Sequence, residues 1–374
     1  MPSKERIHVF YFIHDLAPFG AQRVVLHTVQ NLSPDKFRVT VCPFWGDETL
    51  APAFAAAGAR IIPLRARRFL DVRAWLRLAR LLISEKPDII QTNLAEMAIP
   101  VRLLSLFLPS LHVVHSVQNP FSCYPVYWRL LDRATLALCD AIIFCSRSLK
   151  EAAGLNPRHF NNKSFIAQNG VSIKAAPAAD GRGLREELGI AEAEKMICCV
   201  GRLVGQKGQD ILIEAAAILA GEKRRLRYVL AGDGETLAEL QAQAELRGVG
   251  RDFLFLGRRS DIARILSACD VYAAPSRWEG LNIALGEAML AGKPCVATAI
   301  PGHADILKDG VTGVAVPVRD PIALAAGIAK MLDNPQDARK IAAAASTLIR
   351  TDFTVEAMAK KYEKIYLYLM GRPG

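Results

Sequence analysis

Two glutamates that flank an expected loop-to-helix junction are the side chains of this sequence best suited to chemistry. Glu279 and Glu287 lie in the segment Pro275–Glu287. A helical run begins near Leu281, which predicts Glu279 in a loop before Gly280 and Glu287 about two turns inside a helix. Free backbone N–H groups at a helix start attract phosphate, and carboxylates accept hydrogen bonds from sugar hydroxyls. The combination predicts a nucleotide-sugar site.

A glycine-containing loop, Gly201–Gly208, directly follows a predicted strand and adds positive charge. Its glycines permit close backbone approach, and Arg202 and Lys207 are placed where a diphosphate would lie against the next helix. Such a turn also occurs without function, and it lacks the spacing of a Walker loop. Glu287 strengthens the functional interpretation, because it falls in an apolar run and a buried carboxylate requires partners.

The elements that must position these residues alternate between short β-rich runs and amphipathic segments. This alternation predicts mostly parallel sheets with helices on both faces, and ligands bind such sheets beyond the carboxyl ends of the strands. Predicted strands in the first half are Ile7–Ile13, Arg38–Cys42, Arg60–Leu64, Asp88–Gln91, His112–Val117 and Ala141–Cys145. Those in the second half are Met196–Val200, Tyr228–Leu230, Phe253–Leu256 and Val271–Ala274.

The fold class expected from this pattern is α/β, with two doubly wound Rossmann-like domains. With 374 residues the chain is long enough for two domains. The predicted boundaries are 1–172 for the first domain and 173–354 for the second, with the C-terminal helix 355–372 returning to the first. The polar stretch Lys174–Glu194 shows no apolar period and is interpreted as the linker.

An ordered set of motifs resembles the retaining nucleotide-sugar glycosyltransferases of family 4, also called group 1, which adopt the GT-B fold. The matching features span nearly the whole chain and include Gly20-Ala-Gln-Arg-Val-Val25, Asn169-Gly-Val171, Gly201-Arg202, Lys207-Gly208, Ala231-Gly-Asp-Gly-Glu235, Phe255-Leu-Gly257, Pro275-Ser276 with Glu279-Gly280, Glu287-Ala-Met289, Gly292-Lys-Pro294 and Gly310-Val-Thr-Gly313. Each motif is weak alone. Together they imply a donor site in the second domain, for a UDP- or GDP-sugar.

The resemblance assigns a role to each matching residue. Arg202 and Lys207 neutralise the departing diphosphate, Glu279 bonds sugar hydroxyls and Glu287 holds the ribose. The backbone of Gly280, Leu281 and Asn282 cradles phosphate, that of Gly257 and Arg258 meets the base, and Gly20 approaches the donor phosphate from the first domain. The family transfers with retention and without a protein nucleophile, so the two glutamates are not interpreted as the acid/base pair of a glycoside hydrolase.

The first domain departs from the family pattern at one contact to the transferred sugar. Many relatives carry a histidine where this chain has Gln118, and the histidine here is His115, three residues earlier. A strand residue three positions earlier points to the opposite face. His115 is therefore interpreted first as a core histidine, with a sugar or acceptor contact as the alternative, and Gln118 can still bond a hydroxyl.

Charge separates the two halves and suggests a partner for the first. The net charge is +10, and residues 1–175 contribute +9 of it, from 21 Lys and Arg against 12 Asp and Glu. Arg73, Arg77 and Arg80 fall on one face of a predicted helix that carries Val72, Trp75, Leu76, Ala79 and Ile83 on its other face. An anionic membrane surface and a core-packed helix with solvated arginines both fit this pattern. No nucleic-acid module accompanies it.

Eight cysteines without a CxxC pair favour a reduced, cytoplasmic location over a zinc site or a disulfide framework. No cofactor and no metal requirement is expected, since no Asp-x-Asp pair is present to hold a divalent ion. The function predicted is hexosyl transfer to a glycan acceptor, lipid-linked, in cell-surface polysaccharide or glycolipid synthesis. The alternatives are transfer to a soluble acceptor such as a sugar phosphate, and a noncatalytic nucleotide-sugar or anionic-glycan binder.

Overall fold

The computed structural model describes residues 6–172, 180–222 and 224–372. They form two compact units, one within residues 1–170 and 355–374 and the other within residues 171–354. Each unit is built on its own parallel sheet, as the sequence predicts. Within the described residues, none of the helices combines the length and hydropathy needed to cross a bilayer.

The first unit contains a seven-stranded sheet in the order β3-β2-β1-β4-β5-β6-β7. Its elements are β1 (Ile7–Ile13), α1 (Gly20–Asn31), β2 (Phe37–Pro43), α2 (Ala51–Ala56), β3 (Arg60–Ile61), α3 (Val72–Glu85), β4 (Ile89–Thr92), α4 (Ala95–Ser105), β5 (His112–Val117), α5 (Val126–Thr135), β6 (Ala141–Phe144), α6 (Arg147–Ala152), α7 (Pro157–Phe160) and β7 (Ser164–Ile166). The order reverses between β1 and β4, which places a topological switch point there.

The second unit contains a six-stranded sheet in the order β10-β9-β8-β11-β12-β13. Its elements are α8 (Gly181–Glu187), β8 (Lys195–Val200), α9 (Gln209–Ala220), β9 (Leu226–Ala231), α10 (Leu237–Leu246), β10 (Phe253–Phe255), α11 (Ile262–Ala268), β11 (Val271–Ala274), α12 (Ile283–Leu290), β12 (Cys295–Thr298), α13 (Pro301–Ala304), β13 (Val314–Val316), α14 (Pro321–Asp333) and α15 (Pro335–Asp352). Here the order reverses between β8 and β11.

The C-terminal helix α16 (Val355–Leu369) belongs to the first unit. Most of its large apolar and aromatic side chains are buried, among them Met358, Tyr362 and Tyr366, whereas Tyr368 is exposed. The Tyr362 hydroxyl lies 2.9 Å from Ser116 Oγ on β5, and the Tyr366 hydroxyl lies 2.8 Å from the Tyr11 hydroxyl on β1. These buried contacts fix α16 against the first sheet.

The linker interpretation of Lys174–Glu194 is wrong for its second half. Residues 173–179 lie outside the described residues, but helix α8 begins at Gly181 with the Asp180 side chain accepting from Gly183 N. Arg185 of α8 bonds the Ala268 carbonyl and pairs with Asp270. Leu184 is buried and is the only large apolar residue of this short helix. A single apolar residue cannot produce a helical hydrophobic periodicity in the sequence.

Helix α3 turns a different face inward from the one expected. Its buried residues are Ala74, Leu78 and Leu82, whereas Val72, Leu76 and Ile83 are 67%, 51% and 59% exposed. The helix carries two apolar rows, and periodicity alone does not say which one contacts the sheet. The row Ala74, Leu78, Leu82 is buried. In the other row Trp75 packs on Phe12 of β1, with ring centroids 5.8 Å apart, whereas Val72, Leu76 and Ile83 lie at the surface.

Candidate active site

The loops after β8 and β11 meet at the switch point of the second sheet. Arg277 N donates to Gln206 O at 2.8 Å, and Gln206 Nε2 donates to the Trp278 carbonyl at 3.0 Å. Gly208 makes the close approach possible, since its φ is +68° and a Cβ there would lie 2.2 Å from Pro275 O. Only glycine fits this position, so the loop sequence itself determines that the two loops touch.

Lys207 and Glu279 form an ion pair across these loops. Lys207 Nζ lies 2.5 Å from Glu279 Oε1, which also accepts from Ser276 Oγ at 2.9 Å. Glu279 Oε2 accepts from Gln206 Nε2 at 3.2 Å. The side chains of Lys207 and Glu279 are 16% and 8% exposed, so the pair is mostly removed from water. The result is a preorganised cation and carboxylate at the end of the parallel strands.

A second ion pair fixes the backbone of the same loops. Arg277 Nη1 lies 2.9 Å from Asp210 Oδ1, and Arg277 Nη2 lies 2.5 Å from Asp210 Oδ2. Nη1 also donates to the Gly205 carbonyl at 2.5 Å. The paired carboxylate of Asp210 raises the pKa of Arg277. Arg277 thus holds the loop after β11 on the start of α9.

Helix α12 begins two residues later than expected. Asn282 is its N-cap, and the Asn282 side chain accepts from Leu285 N at 3.2 Å. Gly280 and Leu281 therefore lie before the helix, where both are buried. Glu287 lies about one turn inside instead of two, 8% exposed among buried apolar neighbours. A polar side chain at the N-cap satisfies one of the free N–H groups and leaves others to a ligand.

A fully buried histidine orients the Asn282 amide. His303 Nδ1 lies 2.7 Å from the Thr298 carbonyl, which only accepts, so the proton is assigned to Nδ1. His303 Nε2 then accepts from Asn282 Nδ2 at 3.1 Å. Burial lowers the pKa of His303 to about 4, so the ring is neutral near pH 7 and keeps this arrangement. His303 thus connects the Thr298 carbonyl at the end of β12 to Asn282, the N-cap of α12, through one hydrogen bond on each side of its ring.

The remaining residues predicted for the second domain lie around this centre. Arg202 is exposed on the loop after β8, with Nη2 3.4 Å from Gln206 Oε1. Gly257 follows β10 with a φ of +63°, and its carbonyl accepts from Gly232 N at 2.8 Å. Arg258 next to it is exposed. Strand β10 is separated from β8 by β9, so Gly257 and Arg258 border the centre at one side.

The predicted residues of the first unit lie at the carboxyl end of its own sheet. Gly20 is exposed and is the first residue of α1. Gln118 follows β5, donates to Ser116 Oγ at 2.8 Å and accepts from Asn169 Nδ2 at 2.9 Å. His115 is 2% exposed with Nδ1 3.1 Å from Thr92 Oγ1, and burial lowers its pKa well below the usual value. His115 is therefore a core residue in this structure.

Two family models match this chain, one on each half. The model for Glycosyltransferase Family 4 matches residues 19–174, and the model for Glycosyl transferases group 1 matches residues 182–347. The chain belongs to the group 1, family 4 glycosyltransferases. The second match contains the whole Lys207–Glu279 centre of this glycosyltransferase and the Asn282–His303 pair.

Curated relatives of the glycosyltransferase include enzymes of bacterial glycan synthesis. It is 27% identical over 321 residues to the UDP-Gal:alpha-D-GlcNAc-diphosphoundecaprenol alpha-1,3-galactosyltransferase of Escherichia coli, covering 80% of this chain and 81% of that protein. It is 29% identical over 241 residues to the lipopolysaccharide core biosynthesis mannosyltransferase LpsB of Rhizobium meliloti (strain 1021), covering 62% and 66%.

Solved structures show the GT-B fold. The crystal structure of Anabaena HepE in complex with UDP and glucose matches with a TM-score of 0.83 at 22% identity, covering 96% of the glycosyltransferase and 99% of that chain. The sucrose-phosphate synthase of Thermosynechococcus elongatus matches with a TM-score of 0.80 at 20% identity, covering 97% and 99%. At these identities the likeness concerns the fold.

The sequence assigned no role to four residues that build the centre of this glycosyltransferase: Gln206, Asp210, Ser276 and His303. Ser276 and Gln206 are ordinary loop residues in sequence, and nothing in their spacing indicates that both bond one carboxylate. Asp210 and Arg277 carry opposite charge, but they are 67 residues apart along the chain. Strand order decides these pairings, because β8 and β11 are neighbours only in the folded sheet.

Proposed function

We propose that this glycosyltransferase moves a hexosyl unit from a UDP- or GDP-sugar to a lipid-linked glycan acceptor, in the synthesis of a cell-surface polysaccharide or glycolipid. The observation that carries the proposal is the Lys207–Glu279 pair at the switch point, beside the N-terminus of α12. The E. coli relative is named for a UDP-sugar donor and a diphosphoundecaprenol-linked acceptor, which supports this choice of substrates.

The donor chemistry follows from the charges of these residues. The ammonium group of Lys207 and the guanidinium group of Arg202 stabilise the departing diphosphate, and the N–H groups before α12 bind its oxygens. Glu279 accepts hydrogen bonds from the sugar, held in place by Lys207, Gln206 and Ser276. Glu287 bonds the ribose hydroxyls, and the backbone at Gly257 meets the base.

Transfer proceeds with retention of configuration and without a protein nucleophile. The bond between the sugar C1 and the phosphate oxygen breaks, the acceptor hydroxyl oxygen bonds C1 on the same face, and its proton passes to the departing phosphate. Glu279 is engaged in three polar contacts and serves as a sugar-binding group. The protein thus contributes positioning and charge stabilisation.

The reaction is proposed to need no metal ion. Lys207 and Arg202 provide the positive charge that a divalent ion supplies to the phosphates in other transferases. Within the ranges that the structure describes, no group of three or more His, Cys, Asp or Glu side chains could hold a metal. Transfer is therefore expected to continue in the presence of EDTA.

One hydroxyl of the acceptor is proposed to enter a small recess, with room for about one water molecule, at the switch point of the first sheet. The recess lies between the ends of β1 and β4, and its lining combines apolar and polar groups: Ile13, His14, Ala21, Gln22, Val25, Asn93, Leu94 and Met97. Asn93 is 4% exposed, and its Nδ2 group has no hydrogen-bond partner among the described residues. Such a donor suits an acceptor hydroxyl, because an unbonded buried N–H is costly.

The first unit also suits a site of action at the cytoplasmic face of a membrane. The surface row Val72, Leu76 and Ile83 of α3 adjoins Arg73 and Arg80, both exposed. A basic and apolar helix face of this kind binds anionic lipid surfaces. A lipid-linked acceptor presented there would be within reach of the first unit.

The experiment incubates the protein with labelled UDP- and GDP-hexoses, with and without polyprenyl-diphosphate sugar acceptors and EDTA. The proposal expects release of nucleoside diphosphate, a lipid-linked product, and an anomeric NMR signal of the same configuration as the donor. Transfer only to sugar phosphates in aqueous solution would favour the soluble-acceptor alternative. Nucleotide-sugar binding with no turnover on any acceptor would favour a noncatalytic binder.

A further inference from the structure

Helix α16 carries two buried tyrosines, Tyr362 and Tyr366, at i and i+4 spacing. Both side chains are fully buried against the first sheet, and their ring centroids lie 6.0 Å apart. Burial raises the pKa of both hydroxyls, so each stays protonated and can donate a hydrogen bond. A buried hydroxyl destabilises the folded state unless it is bonded. The role of the two tyrosines therefore depends on the partners of their hydroxyls.

Tyr362 is the inner end of a hydrogen-bonded chain that leads to Gln118. Its hydroxyl lies 2.9 Å from Ser116 Oγ on β5, and Ser116 Oγ accepts from Gln118 Nε2 at 2.8 Å. From the other side, Asn169 Nδ2 donates to Gln118 Oε1 at 2.9 Å. All four side chains are at most 9% exposed. The Gln118 amide is therefore held at both its nitrogen and its oxygen.

Tyr366 is the inner end of a second chain, which leads to Asn93. Its hydroxyl donates to Gln91 Oε1 on β4, and Gln91 Nε2 donates to Asn93 Oδ1 at 3.4 Å. The Tyr11 hydroxyl lies 2.8 Å from that of Tyr366. Gln91 and Asn93 are 1% and 4% exposed, so water does not compete for these bonds. The oxygen of the Asn93 amide is thus held from inside the protein.

The outer ends of the two chains lie at one edge of the first sheet. Gln118 follows β5 and Asn93 follows β4, and these strands are parallel neighbours, so both amides lie at the carboxyl ends where a ligand binds. Among the described residues, Asn93 Nδ2 and Asn169 Oδ1 are buried without a hydrogen-bond partner. One is a donor and the other an acceptor, and each suits a hydroxyl of a bound ligand.

We propose that Tyr362 and Tyr366 are positioning residues for sugar transfer, which fix the amides of Gln118 and Asn93 before the substrates bind. This rests on the proposed function, in which Asn93 bonds an acceptor hydroxyl, and extends it to a helix that does not itself reach the substrates. Polar groups held in the productive orientation lose no further freedom when the substrates arrive, which favours the transition state.

The kinetic test is a pair of double-mutant cycles, Tyr362→Phe with Gln118→Ala and Tyr366→Phe with Asn93→Ala. Tyr362→Phe should lower kcat for transfer, and Tyr366→Phe should raise the KM for the acceptor, each by roughly fivefold to tenfold. Each double variant should be no worse than its amide variant alone, because the tyrosine acts through that amide. Tyr368→Phe, at a ring 60% exposed on the same helix, is the matched control and should keep wild-type kinetics.

Stability is separated from positioning by assaying each variant below its thermal unfolding midpoint. Ser116→Ala interrupts the first chain without a change in α16, and it replaces Tyr362→Phe in the cycle if that variant does not fold. Effects that multiply in both cycles would overturn the proposal, because they would mean that the tyrosines act only on the general stability of the first unit. Wild-type kinetics in folded Tyr362→Phe and Tyr366→Phe would overturn it as well.

A measurement without substrate distinguishes failure of this proposal from failure of the proposed function. The side-chain amides of Gln and Asn are labelled with 15N, and the NMR signals of Gln118 and Asn93 are assigned by their loss in the alanine variants. Tyr362→Phe should shift the Gln118 signals, and Tyr366→Phe should shift those of Asn93. Unchanged signals in both tyrosine variants would overturn the positioning even where transfer occurs. Shifted signals without transfer to any lipid-linked acceptor would support the positioning and reject the proposed acceptor.

Discussion

Lys207 Nζ lies 2.5 Å from Glu279 Oε1 although the two residues are 72 positions apart in the sequence. The contact arises because β8 and β11 are neighbours at the switch point, so that the loops following them share one edge of the sheet. Both charges are mostly withdrawn from water, which strengthens their interaction and fixes their positions before any substrate binds. The pair links the fold of the second unit to its chemistry.

Substitutions in the Lys207–Glu279 pair should affect the stability of the protein and its activity differently. Lys207→Ala leaves the Glu279 carboxylate buried without its cation, and we expect a loss of about 2–4 kcal/mol in the free energy of unfolding. In Lys207→Ala/Glu279→Gln the buried charge is gone, so stability should largely recover while transfer stays low. Urea unfolding measures the first effect, with Lys340→Ala, 79% exposed, as the control. A double variant less stable than Lys207→Ala would contradict this account.

The His303–Asn282 contact should act on donor binding. His303→Ala removes the acceptor of the Asn282 amide, which frees the N-cap of α12 to rotate. We expect the KM for the nucleotide sugar to rise on the order of tenfold, equivalent to about 1.4 kcal/mol. Asn282→Ala should also lose about 1 kcal/mol of stability as a cap. Unchanged donor KM in His303→Ala would show that the cap is held by other contacts.

Buried His303 should make the protein sensitive to mild acid. The unfolded chain binds a proton at this ring near pH 6.5, and the folded chain does so only near pH 4. Between these values the unfolded state holds more protons, so the free energy of unfolding falls as pH falls, by at most about 3.4 kcal/mol. Urea midpoints at pH 7 and pH 5 should therefore differ less in His303→Gln than in wild type. His159→Gln, at an exposed position, serves as the control and should keep the wild-type difference.

Tyr366 should stabilise the first unit through its hydroxyl. It accepts from Tyr11 at 2.8 Å and donates to Gln91 Oε1, and all three side chains are buried. Tyr366→Phe removes the hydrogen bonds to the Tyr11 hydroxyl and to Gln91 Oε1, so we expect a loss of about 1–3 kcal/mol in the free energy of unfolding. Tyr368→Phe is the matched control, because that ring is 60% exposed on the same helix. Equal stability of the two variants would mean that water replaces the lost bonds.

Local patterns were sufficient for the parallel α/β architecture. Strand–turn–helix units such as β8 with its glycine loop can be predicted from the local sequence, because an apolar run indicates the strand and glycines indicate the turn. The short strands β12 and β13 were missed, because residues 295–298 and 314–316 are brief apolar runs beside helical patterns. The inward face of α3 was predicted only in part, because the helix carries two apolar rows: Trp75 packs on β1 as a core-packed helix requires, but Leu78 and Leu82 are buried in place of Leu76 and Ile83.

The parts of the centre that could not be predicted depend on strand order. Ser276, Gln206 and Asp210 acquire their roles only when β11 lies beside β8. His303 reaches Asn282 because α13 follows β12, the strand on the other side of β11. The Arg102–Asp132 ion pair was equally hidden, since the amphipathic pattern of α5 predicts a helix but not that Asp132 would lie inside the protein beside Arg102.

Donor turnover by Lys207→Ala is the most direct test of the central claim that this pair forms the diphosphate and sugar site. Release of nucleoside diphosphate from the preferred labelled nucleotide sugar would be measured for wild type, Lys207→Ala and the surface control Lys340→Ala. The account predicts a fall of roughly 10²–10³ for Lys207→Ala and none for Lys340→Ala. Turnover by folded Lys207→Ala at the wild-type rate would contradict it.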